Sequence, residues 1–186
     1  MAVGDRAGVQ EPDLTLIVDG ANVIGSRPDG WWRYRAGAAV RLYDELAGLA
    51  ERGAAGIRAA QLATREDGEA SAGPEQTGSG QAGTGQAGTR QDGAQTVAVV
   101  LVLEGAAKAA AARITARTAG DGRDRAGDLG TVQVVSAPGS GDDEIVRLAR
   151  SRPGHRIVVT SDRELRRRSV AAGAQVAGPS WLRARL

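Results

Sequence analysis

Val97–Leu103 is an unbroken run of seven apolar residues, and it narrows the possible folds of this chain more than any other feature. A strand with one face in water alternates apolar and polar side chains. A run without alternation reads as a central strand covered on both faces. Leu14–Val18 is a short apolar run rich in branched residues that stops abruptly at Asp19-Gly20, and it reads as a buried strand. Thr131–Ser136 alternates around Val132, Val134 and Val135, Arg156–Thr160 gives a fourth strand, and Gln175–Ala177 a short fifth.

Helical stretches separate these strands. From Ala38 to Arg52 the residues Val40, Tyr43, Leu46, Leu49 and Ala50 recur at three- and four-residue steps. Ala106–Ala119 is helical by propensity. Asp142–Arg152 carries Ile145, Val146, Leu148 and Ala149 on its inner side; Glu164–Ala172 is a further helix and Pro179–Leu186 a terminal helical turn. Strands alternating with helices predict an α/β fold, a parallel sheet with helices on both faces. Gly25–Gly30, with Pro28 and Asp29, reads as a loop.

One segment belongs to none of these elements. Residues 65–96 are Gly, Ala, Gln, Thr and Ser with almost no aliphatic bulk, and Gly-Gln-Ala-Gly-Thr occurs twice in tandem at 80–84 and 85–89. Such a stretch buries too little apolar surface to offset its ordering entropy, so it reads as a flexible insertion. Gly120–Gly130 is a second flexible stretch, and residues 1–13 a polar, flexible leader. The expected organisation is one domain over 14–186, interrupted at 65–96.

Composition closes off other chemistry. There is no Cys, which excludes disulfides, thiolate metal sites and cysteine nucleophiles. There is no Phe, so Val, Leu, Ile and Ala carry the core. Net charge is only +2, which permits nucleic-acid binding without arguing for it. The first residues lack the apolar stretch of a secretory signal, and no apolar run approaches the roughly 18 residues of a membrane span. A cytoplasmic protein without membrane contact is expected.

Acidic residues gather where strands end. Asp19 follows the first strand, Glu104 the second and Asp162 the fourth, while Asp142 and Asp143 open the helix after the third. Open parallel sheets bind ligands at the C-terminal ends of their strands. Carboxylates brought together there repel one another unless a cation is shared, and hard oxygen donors suit Mg²⁺ or Mn²⁺. Such ions assist phosphodiester hydrolysis. Each acid also has a plainer role, as a helix cap, a dipole partner or a turn residue; the shared position after successive strands sets them apart.

Asp19-Gly20-Ala21-Asn22-Val23-Ile24 after Leu16-Ile17-Val18 resembles the opening motif of NYN domains, in the PIN-like nuclease superfamily. Ser140-Gly141-Asp142-Asp143-Glu144-Ile145 resembles the family's acidic helix start, and Val158-Val159-Thr160-Ser161-Asp162 its strand-end Thr-x-Asp motif. The likeness, to the bacterial YacP-like kind, runs from about Leu14 to Leu186 apart from the insertion. It implies a PIN-like three-layer sandwich with strand order 3-2-1-4-5 and a Mg²⁺- or Mn²⁺-dependent endoribonuclease. It implies Asp19, Asp142, Asp143 and Asp162 as metal-site acids, with a slight preference for Asp143 over Asp142, Asn22 as an orienting residue, and Glu104 as an accessory acid. RNA is the implied partner, within the ribosome or another ribonucleoprotein.

Arg27, Trp31, Trp32, Arg33 and Arg35 follow the first strand, and Arg163, Arg166, Arg167 and Arg168 follow the fourth. Trp stacks on unpaired bases and Arg meets phosphates, so Arg27, Trp31, Trp32, Arg33, Arg163 and Arg167 are candidate RNA contacts. The lone His155 falls just before the fourth strand, at the end away from the acids, which disfavours a Ser-His-Asp relay. No Gly-x-x-x-x-Gly-Lys-Ser/Thr loop is present. Two other functions use the same fold and acids: a catalytically weak module that binds RNA or a ribonucleoprotein, and a metal-dependent phosphatase or nucleotidase acting on small molecules.

Overall fold

The computed structural model describes residues 12–27, 30–53, 57, 96–120 and 132–186. Residues 1–11 of the expected leader, 65–95 of the insertion, most of the Gly120–Gly130 stretch and the Pro28-Asp29 turn lie outside the described residues. Among the described residues no helix is long and apolar enough to cross a membrane.

Strands β1 (Leu14–Asp19), β2 (Val97–Leu103), β3 (Val132–Ser136), β4 (His155–Val159) and β5 (Gln175–Ala177) form one sheet in the order β3-β2-β1-β4-β5. Every neighbouring pair is parallel. Helices α1 (Gly20–Gly25), α2 (Arg35–Glu51), α3 (Ala109–Gly120), α4 (Gly141–Ser151), α5 (Arg163–Ala171) and α6 (Pro179–Arg183) flank it. This is a three-layer α/β sandwich, with the strand order 3-2-1-4-5 that was expected.

The strand period of two divides the core. Leu14, Leu16 and Val18 of β1 join Val97, Val99, Leu101 and Leu103 of β2 beneath α1, α2, α3 and α6, where Leu42, Leu46, Leu49, Ile114 and Leu182 are buried. The opposite parity, Ile17 of β1 with Val100 and Val102 of β2, packs on Ile145, Val146, Leu148 and Ala149 of α4 and Leu165 of α5. Burying each such side chain contributes about 1.5–3 kcal/mol. Alternation also carries Asp19 onto the α4 and α5 side, because it shares the parity of Ile17.

The boundaries differ from expectation in a few places. α1 is a helix where no element was expected, because six residues give too short a window for periodicity. α2 begins at Arg35 rather than Ala38, since Arg35, Ala36 and Gly37 carry no apolar signal. The expected helix from Ala106 starts as a 3₁₀ turn, Gly105–Lys108, entered through Gly105 with φ +51°, a conformation that favours glycine. His155 is the first residue of β4 rather than the residue before it, at the N-terminal end of the sheet opposite Leu14. Asp13 and Thr96, at the margins of the expected leader and insertion, bind each other just before β1 and β2, the Thr96 N–H donating to Asp13 Oδ2 at 2.9 Å.

Candidate active site

The strand order reverses between β1 and β4, since the chain winds from β1 outward to β3 and then returns to β4. Such a switch point opens a crevice at the carboxyl ends of its two strands. Here those ends are Asp19 and the segment Thr160-Ser161-Asp162.

Asp19 is buried and closes β1 while capping α1. Its Oδ1 accepts the Asn22 N–H at 3.0 Å and its Oδ2 accepts the Thr160 hydroxyl at 2.9 Å. Thr160 is wholly buried, and its Oγ1 also accepts the Asp162 N–H at 3.1 Å. Asn22 ties the same two strand ends from outside, its Oδ1 accepting both the N–H and the hydroxyl of Ser161 at 2.9 and 2.6 Å. Asp162 caps α5 through Oδ1, which accepts the Leu165 N–H at 2.7 Å. The plain capping roles of Asp19 and Asp162 are thus realised, and each carboxylate keeps further lone pairs for another ligand.

Glu104 extends from the end of β2, where its Oε2 accepts the Gly141 N–H at 2.8 Å at the start of α4. A Cβ on residue 141 would lie 2.7 Å from that oxygen, so glycine there gives Glu104 its seat. One residue on, Asp142 stands in the field of Asp162 and Glu104, and Asp19 in that of Asp142 and Glu104. Burial first, and these like charges after it, hold the protons of Asp19 and Asp142 more tightly than usual, although the cap and the Thr160 bond oppose this at Asp19 and Arg168 opposes it at Asp142.

Asp143 points elsewhere. It is exposed and ion-paired with Arg168 of α5 at 2.5 Å. The slight preference for Asp143 is therefore turned round: Asp142 faces the other acids. The signal for this was in the sequence, because Asp142 stands at i with Ile145, Val146 and Ala149 at i+3, i+4 and i+7. Glu144, the third acid of that turn, is bound by Arg147 through two bonds of 2.9 and 2.6 Å. Gly141 and Thr160 stood within the quoted motifs but were not among the candidate site residues; Thr160 shares the strand parity of Val158, which faces the same side.

Asp19, Glu104, Asp142 and Asp162 hold no basic ion-pair partner among the described residues. Among those residues, too, no group of three or more Asp, Glu or His is disposed to hold one ion together. The four share an electrostatic field without forming a closed shell. That donor set fits an ion held by one or two carboxylates and otherwise by water, the habit of Mg²⁺, and does not fit a Zn²⁺ cage.

The expected basic contacts divide. Arg27 is engaged by Glu45 through two bonds, one of 3.0 Å, Arg167 pairs with Glu164 on the exposed face of α5, and Arg33 and Arg163 are exposed. The Trp31 side chain lies outside what is described, while Trp32 is 57% exposed.

Thr160→Val tests the link between the two strand ends. Removing the hydroxyl leaves a buried Asp19 oxygen and the part-buried Asp162 N–H short of a partner. The expected loss is about 1–3 kcal/mol, read by urea denaturation. A change within error would show that water or rotation replaces the bonds.

No family model matches this chain, and no curated protein sequence matches it. Among solved structures, it is similar to Rae1 (YacP) from Bacillus subtilis, in a tryptophan-to-leucine mutant, at 15% identity with a TM-score of 0.47, over 91% of this chain and 72% of that one.

Proposed function

We propose that this chain is a metal-dependent endoribonuclease that hydrolyses RNA phosphodiester bonds at the β1–β4 edge. One observation carries the reading. Four acidic side chains from four separate segments stand in one electrostatic field at the switch point, none of them in an ion pair among the described residues, and burial raises the pKa of Asp19 and Asp142. Capping explains one bond at Asp19 and one at Asp162, but it does not explain Asp142, since Ser140 is the N-cap residue of α4. Uncompensated carboxylates cost stability, and a divalent cation removes that cost. The motif resemblance to NYN domains points the same way.

Asp19 and Asp162 would hold the ion, with Asp142 and Glu104 reaching it in part through water. A bound Mg²⁺ or Mn²⁺ would polarise a phosphoryl oxygen and neutralise charge developing on it. Thr160 fixes the Asp19 carboxylate and the turn into Asp162, and Asn22 locks that turn from the other side. Gly141 lets Glu104 reach the start of α4 and so sets the position of Asp142. Asp143 stands outside this set and steadies α4 against α5 through Arg168.

A second reading, a module that binds RNA or a ribonucleoprotein without cutting it, is favoured by the lack of a closed three-ligand group among the described residues. Incubating the protein with single-stranded and structured RNA in Mn²⁺, Mg²⁺ or EDTA separates the two. Cleavage that EDTA stops is expected. Binding with intact RNA in every metal would favour the second reading, and cleavage of sugar phosphates alone would favour a small-molecule phosphatase.

A further inference from the structure

A shallow groove of about 520 Å³ opens on the same sheet edge, between the start of α2 and the turn after Glu104. Trp32, Arg33, Tyr34, Arg35, Ala106 and Arg113 line it, and among the described residues no acidic side chain does. The chain has only three Trp and two Tyr. Tyr43 is buried in the core and Trp181 packs against it beneath the Arg185 guanidinium, 4.4 Å from the ring centre. Trp32 and Tyr34, by contrast, are 57% and 75% exposed, and both line this one groove. Tyr34 precedes the first residue of α2 yet its side chain makes no capping bond there, so the helix does not account for its position. Arg33 and Arg113 hold no carboxylate among the described residues.

We propose that this groove is a track for a single strand of nucleic acid, with bases stacked on Tyr34 and Trp32 and phosphates held by Arg33 and Arg113. The inference rests on the nuclease reading and adds to it the strand state of the substrate. Stacking requires unpaired bases, since a duplex keeps its base faces covered. The two arginines by themselves would suit any polyanion. Two exposed rings in the same groove suit one that also presents flat faces.

The test is binding without cleavage, in EDTA, by fluorescence anisotropy of labelled oligouridine and oligothymidine of about twelve nucleotides, within the site size of such grooves, and of a matching duplex. Tyr34→Ala should weaken binding of both single strands about tenfold and leave the duplex unchanged, while Tyr34→Phe retains binding. The double variant Arg33→Ala, Arg113→Ala should lower the slope of log affinity against log salt by about 1.4. All four side chains are at the surface, and thermal melts check that the variants remain folded. Native-like single-strand binding by Tyr34→Ala together with an unchanged salt slope in the double variant would overturn the proposal, as would equal losses on duplex and single strand. If the variants behave as expected but the native protein cuts no RNA in Mn²⁺, the groove stands and the nuclease reading falls.

Discussion

Asp19→Asn should cut metal-dependent RNA cleavage by roughly 10²–10³-fold, the loss typical of removing one preorganised charge-stabilising group, while leaving the protein folded. Asn has the shape of Asp and caps a helix equally well. Its carbonyl oxygen can accept the Asn22 N–H and its amide can donate to Thr160 Oγ1, so each partner keeps a bond, with the direction reversed at Thr160. The charge is lost, and the Thr160 hydroxyl hydrogen has to turn to another acceptor.

The same variant should be at least as stable as the native protein near neutral pH in EDTA. The proton of Asp19 is held more tightly in the folded state than the ordinary value of 3.8 implies, mainly because the carboxylate is buried. A group raised in this way contributes stability that is complete below its unfolded pKa and is lost as pH rises through its folded pKa. Metal-free native protein therefore carries an unfavourable charge near neutral pH that Asp19→Asn lacks. Asp142 is raised as well, and Glu144 is lowered by Arg147, but both are common to the two proteins and largely cancel in their difference. Melting temperature against pH should show the variant gaining on the native chain from about pH 4 upward. Added Mn²⁺ should stabilise the native protein, by about 2.7 kcal/mol at a hundred times the dissociation constant, and the variant far less. Full Mn²⁺-dependent cleavage by Asp19→Asn would sink the proposed site, whatever its melting curve showed.

Gly20→Ala should be the most damaging small change near the site. A Cβ at residue 20 would lie 2.6 Å from the Val102 carbonyl oxygen and 3.0 Å from Leu103 Cδ2. That carbonyl is backbone of β2, which is paired on both sides, and cannot turn aside, so α1 must lift from β2. Overpacking of this kind costs about 1–3 kcal/mol, and a rigid neighbour places it toward the upper end. A loss of about 2–3 kcal/mol lowers the melting temperature by roughly 5–10 °C in a chain of this size. Cleavage should fall as well, because Asp19 and Asn22 move with α1. Gly48→Ala is the control. Its Cβ would meet only the end of Arg52 at 3.5 Å, and alanine in that helix should gain about 0.5–1 kcal/mol. Equal melting temperatures for the two variants would mean that α1 is not held against β2 as the close approach implies.

Sequence alone determined the layers and the edge. Val97–Leu103 read as a strand covered on both faces, because an unbroken apolar run leaves no side for water, and Leu14–Val18 as a second buried strand. That required helices above and below and so a parallel sheet. The placement of Asp19, Glu104 and Asp162 after strands, and of Asp142 at a helix start, then put all four at the same end. Even the choice between Asp142 and Asp143 was written in the three- and four-residue steps of α4, although the motif comparison leaned the other way.

Tertiary structure decided which groups meet. Arg27 is taken up by Glu45, Asp143 by Arg168, and Gly141 exists for the sake of Glu104. The pairing of Thr160 with Asp19 joins residues 141 positions apart. The physical reason is one of range. Helix and strand periods arise from local sterics and from transfer of side chains out of water, so they leave a repeating trace in neighbouring residues. A hydrogen bond between distant segments depends on register and on the seating of one layer against another, and neither has a local signature.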